Sequence, residues 1–202
     1  MHKYLKAIFH IFKNYHLYSF PILLYEALFY VKHNNSVNKF KYLNNDSLSD
    51  SIPCPYFFLK KIKNFLIKKD INFLCDLGSG YGKVLYFFGY INNYKIDGVE
   101  LEKEIYFEST FLNSDNIKIF NENILEFDLK IKKYDLFIMN DPLKKNDDLL
   151  KLILRIKSLY KKCYIILINI DDEKIKTISN NLKLIESFTV SKNRNIFFCG
   201  IE

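Results

Sequence analysis

The feature that most constrains the fold of this chain is a glycine-rich turn between an apolar run and a helical pattern. The apolar run, residues 71–75, stops at an acid, Asp76. Glycine then occupies every second position, at Gly78, Gly80 and Gly82. This order predicts a buried strand, a tight turn and a helix N-terminus. Three of the six glycines of the chain stand in the turn, which favours a ligand-binding role, because glycine allows the backbone amides to approach a ligand closely.

Segments with strand-like composition alternate with segments of helical periodicity along most of the chain. Helices are predicted over residues 56–67, 83–91, 102–113, 147–160 and 172–180. Besides the strand before the turn, strands are predicted over 96–100, 117–120, 134–139, 163–169, 182–190 and 195–201, the last two as a hairpin. Such alternation predicts an α/β fold, in which a seven-stranded, mostly parallel sheet has helices on both faces and ends in an antiparallel hairpin.

The N-terminal residues differ from the rest in composition. Residues 1–32 are apolar and aromatic, with interspersed lysines and a central Pro21. Their longest uninterrupted apolar run, residues 20–25, is far shorter than the roughly 20 residues of a membrane span. We expect two helices that pack on the domain, and peripheral contact with a membrane through a basic, apolar face is the alternative.

A polar segment joins these helices to the rest of the chain. Residues 34–50 are rich in Asn, Ser and Asp, a composition typical of a linker or lid. The chain is therefore divided into a helical extension and linker, residues 1–49, and one domain of ordinary size, residues 50–202.

Charge, cysteine and histidine restrict the function only weakly. The formal net charge of +7 favours anionic partners such as nucleic acid or a membrane surface. The four cysteines form no CxxC pair and predict buried thiols in a cytoplasmic protein. All four histidines precede residue 34, and none has an acid or a cysteine at metal-ligand spacing, so we expect no metal site.

Polar groups stand where the first four predicted strands end. Asp76 and the glycine turn follow the first strand, and Glu100 ends the second. The loop 121–123 follows the third strand and Asp141 the fourth. Because ligands of open parallel sheets bind at the carboxyl ends of the strands, the sequence predicts a binding site at this rim.

The charges at the rim indicate which ligand binds there. Glu100 lies about twenty residues beyond the glycine turn, where an acid accepts hydrogen bonds from both hydroxyls of a ribose. Asp76, directly before the turn, would repel a pyrophosphate and attract an ammonium or a sulfonium. The charge therefore favours S-adenosylmethionine, and an NAD-dependent oxidoreductase is the less favoured alternative.

Residues 75–83, with the sequence CDLGSGYGK, resemble the first motif of class I S-adenosylmethionine-dependent methyltransferases. The resemblance covers residues 50–202 in motif order and predicted topology, and it implies a Rossmann-like methyltransferase domain there. The sequence IPCPY at 52–56 and GVE at 98–100 are similar to small bacterial enzymes related to protein-lysine methyltransferases.

The resemblance implies a role for individual residues at the rim. The cofactor-binding set is Asp76, Gly78, Ser79, Gly80, Gly82, Glu100, Leu101, Asn123 and Ile124. Asp76 and the turn would hold the methionine part, Glu100 the ribose, and Leu101 would pack on the adenine. Asn123 stands where relatives have an acid that contacts the adenine amine, and its amide oxygen can accept the same hydrogen bond. Ile124 would offer its backbone N–H to the ring.

Asp141 is the candidate catalytic residue. Enzymes that methylate exocyclic amines of bases carry Asn or Asp, then Pro-Pro and an aromatic residue, whereas this chain has DPLK at 141–144. A carboxylate at this position can orient an amine and stabilise the positive charge that develops on it. We therefore expect methyl transfer to an amine nitrogen, with protein lysine favoured. RNA or a small molecule as acceptor, and a non-catalytic nucleoside-binding domain of the same fold, stay as alternatives.

Overall fold

The computed structural model describes residues 18–32, 35–43, 49–191 and 194–201. Seven strands of this part form one sheet. In chain order they are β1 (Phe73–Leu77), β2 (Lys95–Val99), β3 (Ile117–Phe120), β4 (Leu136–Asn140), β5 (Cys163–Ile168), β6 (Lys183–Ser191) and β7 (Arg194–Ile201). Across the sheet their order is β3-β2-β1-β4-β5-β7-β6.

The pairing of the strands confirms the predicted topology. The strands β1 to β5 pair in parallel, and β7 runs antiparallel to both of its neighbours. The strand order reverses its direction between β1 and β4, because β2 and β3 lie on one side of β1 and the later strands on the other. Ligands of open parallel sheets bind outside the carboxyl ends of the strands at such a switch point.

Helices follow the strands close to the predicted positions. In chain order they are α1 (Ser19–Lys32), α2 (Tyr56–Leu66), α3 (Lys83–Leu85), α4 (Lys103–Ser109), α5 (Asn146–Leu159) and α6 (Asp172–Ile178). The predicted helix over 83–91 is present, but α3 continues as a π-helix, Tyr86–Ile91. The first strand begins later than the apolar run suggested, and Asp76 and Leu77 belong to it.

The sheet has an apolar core on each face, which explains the near-continuous apolar runs of its central strands. Along β4, Leu136 and Ile138 belong to one core, while Phe137 and Met139 belong to the other. The first core includes the inner residues of α1 and α2, and the second includes those of α5 and α6. The expectation of helices on both faces is therefore confirmed.

Helix α1 packs against α2. Ile22 is fully buried, and the ring of Phe29 stacks on that of Tyr56 with 4.3 Å between the centroids. Most of the first predicted helix, which precedes Pro21, lies outside the described residues, as do the four histidines (His2, His10, His16, His33). The described helix α1 begins at Ser19, so Pro21 lies in its first turn instead of separating two helices.

The described part of the chain offers no candidate for a membrane-spanning helix or for a metal site. None of its helices combines the length and the apolar character needed to cross a bilayer. The same residues contain no group of three or more His, Cys, Asp or Glu side chains placed to hold a metal ion.

Candidate functional site

A cavity lies at the carboxyl ends of β1, β2 and β4, beside the switch in strand order. Nine of the ten residues that the sequence assigns to the site line this cavity. They are Asp76, Gly78, Ser79, Gly80, Glu100, Leu101, Asn123, Ile124 and Asp141. The exception is Gly82, where an added Cβ would clash with Cδ1 of Leu112. Gly82 therefore serves the packing of the turn against the helix region that follows α4.

The glycine turn requires glycine because its backbone adopts left-handed angles. The φ angle is +85° at Gly78, a conformation that side chains with a Cβ rarely adopt. A Cβ built on Gly78 would also lie 2.6 Å from Cβ of Pro142, the residue after Asp141. The close approach of these two segments brings the ends of β1 and β4 together at the cavity.

We expect Gly78→Ala to lower the free energy of unfolding by roughly 1–3 kcal/mol, because the strained φ and the contact with Pro142 act together. Thermal unfolding followed by circular dichroism measures the change. Gly200→Ala is the matched control, since its Cβ would meet only Ile185 at an ordinary 3.4 Å. Equal melting temperatures for Gly78→Ala and the unmodified protein would contradict the expectation.

The backbone amides of the turn donate to the protein itself. Gly78 N and Ser79 N both donate to the carbonyl oxygen of Val99, at 2.9 and 3.0 Å. Gly80 N donates to Glu100 Oε2 at 2.8 Å. These three N–H groups are therefore bonded within the protein when no ligand is present. They tie the turn to the end of β2, which removes the usual means of holding a pyrophosphate.

Asp76 is a buried carboxyl group with an unsatisfied oxygen. It is 1% exposed, and no group among the described residues donates to its Oδ2. Burial, with a smaller contribution from the charge of Glu100, raises the pKa of Asp76 to about 8. Because a buried polar atom without a partner is unfavourable, Asp76 provides a position for a cationic or hydrogen-bond-donating ligand group.

The Glu100 carboxylate accepts hydrogen bonds from two backbone amides at the rim and can accept further ones. Its Oε2 accepts from Gly80 N and its Oε1 from Glu102 N, each at 2.8 Å. Burial raises the pKa of Glu100, and these backbone hydrogen bonds oppose the change. Each carboxylate oxygen has two lone pairs, so the side chain can also accept from two hydroxyl groups.

The adenine-binding residues proposed from the sequence lie at one end of the cavity. Leu101 is partly exposed and Ile124 is buried, so together they present an apolar surface. The amide oxygen of Asn123 accepts from Leu125 N at 3.0 Å. This hydrogen bond fixes the Asn123 side chain and leaves one lone pair on its oxygen for a further donor.

Asp141 forms an ion pair that the sequence did not indicate. Its Oδ1 lies 2.5 Å from Nζ of Lys174, a lysine of α6 that is only 4% exposed. Burial raises the pKa of Asp141, while Lys174 opposes the increase. Asp171 caps α6 by accepting from the backbone N–H of Lys174 at 2.8 Å, which helps to fix the lysine. Asp141 also has a φ of +44°, a left-handed conformation that is uncommon outside glycine.

Residues 39–43 and 49–53, which we call the strap, contribute a wall of the cavity. Lys41 and Ser51 exchange both backbone hydrogen bonds, at 2.9 and 3.0 Å. A Cβ on Gly80 would lie 2.7 Å from Ser51 Oγ, so the strap touches the glycine turn. Lys41 pairs with Glu104 of α4 at 2.6 Å. The polar segment that suggested a linker or lid is therefore, in its described part, a component of the site.

No protein-family model and no curated protein sequence matches the chain. Solved structures match its fold. An RNA methyltransferase from Salinibacter ruber, in complex with S-adenosyl-L-homocysteine, has a TM-score of 0.59 and 12% identity over 74% of this chain and 94% of that chain. A methyltransferase from Aquifex aeolicus, described as SAM-dependent, has a TM-score of 0.55 and 13% identity over 72% and 98%.

Magnesium protoporphyrin IX methyltransferase from Synechocystis, with bound S-adenosylmethionine, is similar to the same degree. Its TM-score is 0.55, at 13% identity over 71% of this chain and 77% of that chain. The three similarities are of fold rather than of sequence, and the cavity of this chain lies at the switch point of its own sheet. The chain therefore has the Rossmann-like fold of the class I S-adenosylmethionine-dependent methyltransferases.

Proposed function

We propose that this protein is an S-adenosylmethionine-dependent methyltransferase that transfers the methyl group to an amine nitrogen. The observation that carries the proposal is Asp76, a buried carboxyl group with an unsatisfied oxygen at the switch point of the sheet. A cationic ligand group satisfies this oxygen and favours the ionised form of the carboxyl group, whereas a pyrophosphate beside it would oppose that ionisation. The amides at Gly78, Ser79 and Gly80 are already bonded within the protein, which also disfavours NAD.

The other residues of the cavity fit the proposed cofactor. The remaining lone pairs of Glu100 suit two ribose hydroxyls, as its position after the second strand suggests. Leu101 and Ile124 provide apolar surface for a purine, and Asn123 provides an acceptor for its amine. Asp76 completes the set by attracting the ammonium of the methionine part. All five lie along one continuous cavity.

The main catalytic contribution that this chain can make is to align the acceptor nitrogen with the methyl group. When bound, S-adenosylmethionine supplies a methyl group on a sulfonium, which is already activated for displacement. Good alignment of a nucleophile is worth up to about 7–11 kcal/mol. Asp141 lines the same cavity as Asp76 and can accept a hydrogen bond from the incoming amine and stabilise its developing charge. Its ion pair with Lys174 holds the carboxylate in place for this role.

Protein lysine is the favoured acceptor. The two short sequences similar to enzymes related to protein-lysine methyltransferases support it. Base methylation is disfavoured further because Lys144 stands at the position of the stacking ring, and Leu143, which replaces the second proline, is buried. The similar structures include methyltransferases named for RNA and for magnesium protoporphyrin IX, so the fold is compatible with several acceptors. RNA and small amines are tested beside lysine.

Calorimetry with S-adenosylmethionine, S-adenosylhomocysteine and NAD tests the cofactor. We expect the first two to bind and NAD not to bind. Binding of NAD alone would overturn the proposal in favour of an oxidoreductase. Transfer of a labelled methyl group to protein, RNA and small-molecule fractions then tests the acceptor. Tight cofactor binding without transfer to any fraction would favour a non-catalytic nucleoside-binding domain.

We expect Glu100→Gln to weaken S-adenosylmethionine binding about tenfold, because a neutral amide accepts weaker hydrogen bonds than a carboxylate. The substitution keeps the size of the side chain and one acceptor oxygen for the turn. Calorimetry measures the change, and the melting temperature of the ligand-free variant shows whether the turn is intact. An unchanged dissociation constant in a folded variant would remove Glu100 from the ribose site.

A further inference from the structure

A buried lysine lines the cavity proposed to bind a cation. Lys83 directly follows the glycine turn and is 4% exposed. Its Nζ lies 4.1 Å from the centroid of the Tyr56 ring and 2.7 Å from Oε2 of Glu26. Glu26 belongs to α1, 57 residues earlier in the chain. The charge of Lys83 is therefore balanced by a residue outside the predicted domain of 50–202.

Glu26 is held in place by a second contact. Its Oε1 accepts from the backbone N–H of Tyr56 at 2.6 Å. Tyr56 is the first residue of α2, and a carboxylate is favourable at a helix N-terminus. One carboxylate thus joins α1, the start of α2 and the helix that follows the glycine turn.

The pair lies in the same neighbourhood as Asp76. Cys54 lines the cavity and is buried, and burial is the main cause of the raised pKa of its thiol. The charges of Lys83, Glu26 and Asp76 all act on this one thiol. Lys83 and Asp76 also line one cavity, so the electrostatic potential inside it depends on whether Lys83 is neutralised.

S-adenosylmethionine and S-adenosylhomocysteine differ in the charge that this potential acts on. Both have the same ammonium, carboxylate and nucleoside, but only S-adenosylmethionine has a sulfonium. An unbalanced lysine in the cavity wall would repel the sulfonium and leave the neutral thioether largely unaffected. A contact that is only structural would affect the two ligands equally.

We propose that Glu26 is a specificity-determining residue, which neutralises Lys83 and so preserves the affinity of the cavity for the sulfonium cofactor relative to its demethylated product. The inference rests on the proposed function. It also gives α1 a part in the site, although the division of the chain at residue 49 stays a prediction.

Calorimetry of the full chain with each ligand tests the inference. Glu26→Gln removes the charge and keeps an acceptor for Tyr56 N. We expect the dissociation constant of S-adenosylmethionine to rise roughly tenfold relative to that of S-adenosylhomocysteine. Lys83→Gln should shift this ratio in the opposite direction, because it leaves the acid unbalanced. The double variant Glu26→Gln/Lys83→Gln should return the ratio to that of the unmodified protein.

Asp148→Asn is the matched control, because it breaks the 3.2 Å ion pair of Asp148 with Lys151 on α5, and neither residue lines the cavity. Its ratio should equal that of the unmodified protein. Equal weakening of both ligands by Glu26→Gln, or an unchanged ratio, would overturn the inference and leave the proposed function intact. Failure of the unmodified protein to bind either ligand would overturn both.

Discussion

Asp76→Asn is expected to weaken S-adenosylmethionine binding by about 3–5 kcal/mol while stabilising the ligand-free protein at alkaline pH. The loss of affinity follows from the removal of one member of a buried charge pair. The gain in stability arises because no cation is bound in the ligand-free protein. At alkaline pH the unmodified protein must then ionise the buried carboxyl group of Asp76, which is unfavourable, whereas the amide stays neutral. Function and stability therefore make opposite demands on this position.

The sign of the pH dependence follows from the two pKa values of Asp76. Its pKa is about 8 in the native protein, compared with the ordinary 3.8 expected in the unfolded chain. The native state therefore binds the proton more tightly, and its stability falls as the pH rises from about 4 towards 8. Each pH unit in that interval corresponds to about 1.4 kcal/mol. The amide introduced by Asp76→Asn cannot ionise, so this decrease is absent in the variant.

Melting temperatures between pH 6 and pH 9 measure the effect. The difference between the variant and the unmodified protein should grow with pH and begin to level off as the pH passes 8. Glu186→Gln is the control, since this acid is exposed on β6. A difference in melting temperature between Asp76→Asn and the unmodified protein that does not change with pH would contradict the raised pKa.

Proton release on cofactor binding tests the raised pKa of Asp76 independently, in the unmodified protein. At pH 7 the Asp76 carboxyl is mostly protonated, and an ammonium beside it favours the ionised form. Calorimetry in two buffers of different ionisation enthalpy should therefore show release of close to one proton per bound cofactor. Net uptake of a proton on binding would contradict the ionisation of a protonated Asp76 by the cofactor.

The topology and the position of the site could be predicted because their signals are local. An uninterrupted apolar run predicts a buried central strand, and Cys163–Ile168 is one. Asp76, Glu100 and Asp141 each follow or end a strand-like segment, so parallel pairing alone brings them to one rim. These inferences need only the alternation of strands and helices and the common direction of the strands.

The electrostatic partners of the site could not be predicted because they are distant in the chain. Lys83 meets Glu26 across 57 residues and Lys174 meets Asp141 across 33. Lysines in short helical segments are usually solvated, and nothing in the local pattern marks these two as buried. The hydrogen bonds of the turn were also missed, since glycine spacing indicates permitted backbone angles and not the direction of each N–H.

Asp141→Asn is expected to lower turnover by roughly two to four powers of ten, with little change in the affinity for S-adenosylmethionine. The charge of Asp141 acts mainly in the transition state, when positive charge grows on the acceptor nitrogen. The amide keeps the size of the side chain and an acceptor oxygen, so the substitution isolates the charge. Single-turnover rates and calorimetric dissociation constants measure the two quantities separately.

Asp141→Asn also removes the ion-pair partner of the buried Lys174, and a double variant separates the two effects. Asp141→Asn removes the partner at 2.5 Å and leaves the lysine with the more distant Asp171, whose Oδ2 lies 4.0 Å from its Nζ. This loss by itself can disturb the rim. Asp141→Asn/Lys174→Gln removes both charges and should restore the melting temperature but not the turnover. Recovery of turnover in the double variant would assign the loss to the stranded lysine and end the catalytic assignment of Asp141.

Lys174→Gln alone tests the catalytic role of the Asp141 carboxylate by changing its pKa. Lys174 opposes the burial that raises the pKa of Asp141, so its removal should raise that pKa further. A carboxylate that must be ionised for catalysis then becomes active only at higher pH. The acid limb of the pH–rate profile should therefore move to higher pH in Lys174→Gln, and the limb should disappear in Asp141→Asn. A structural ion pair without a catalytic role would change the rate equally at every pH.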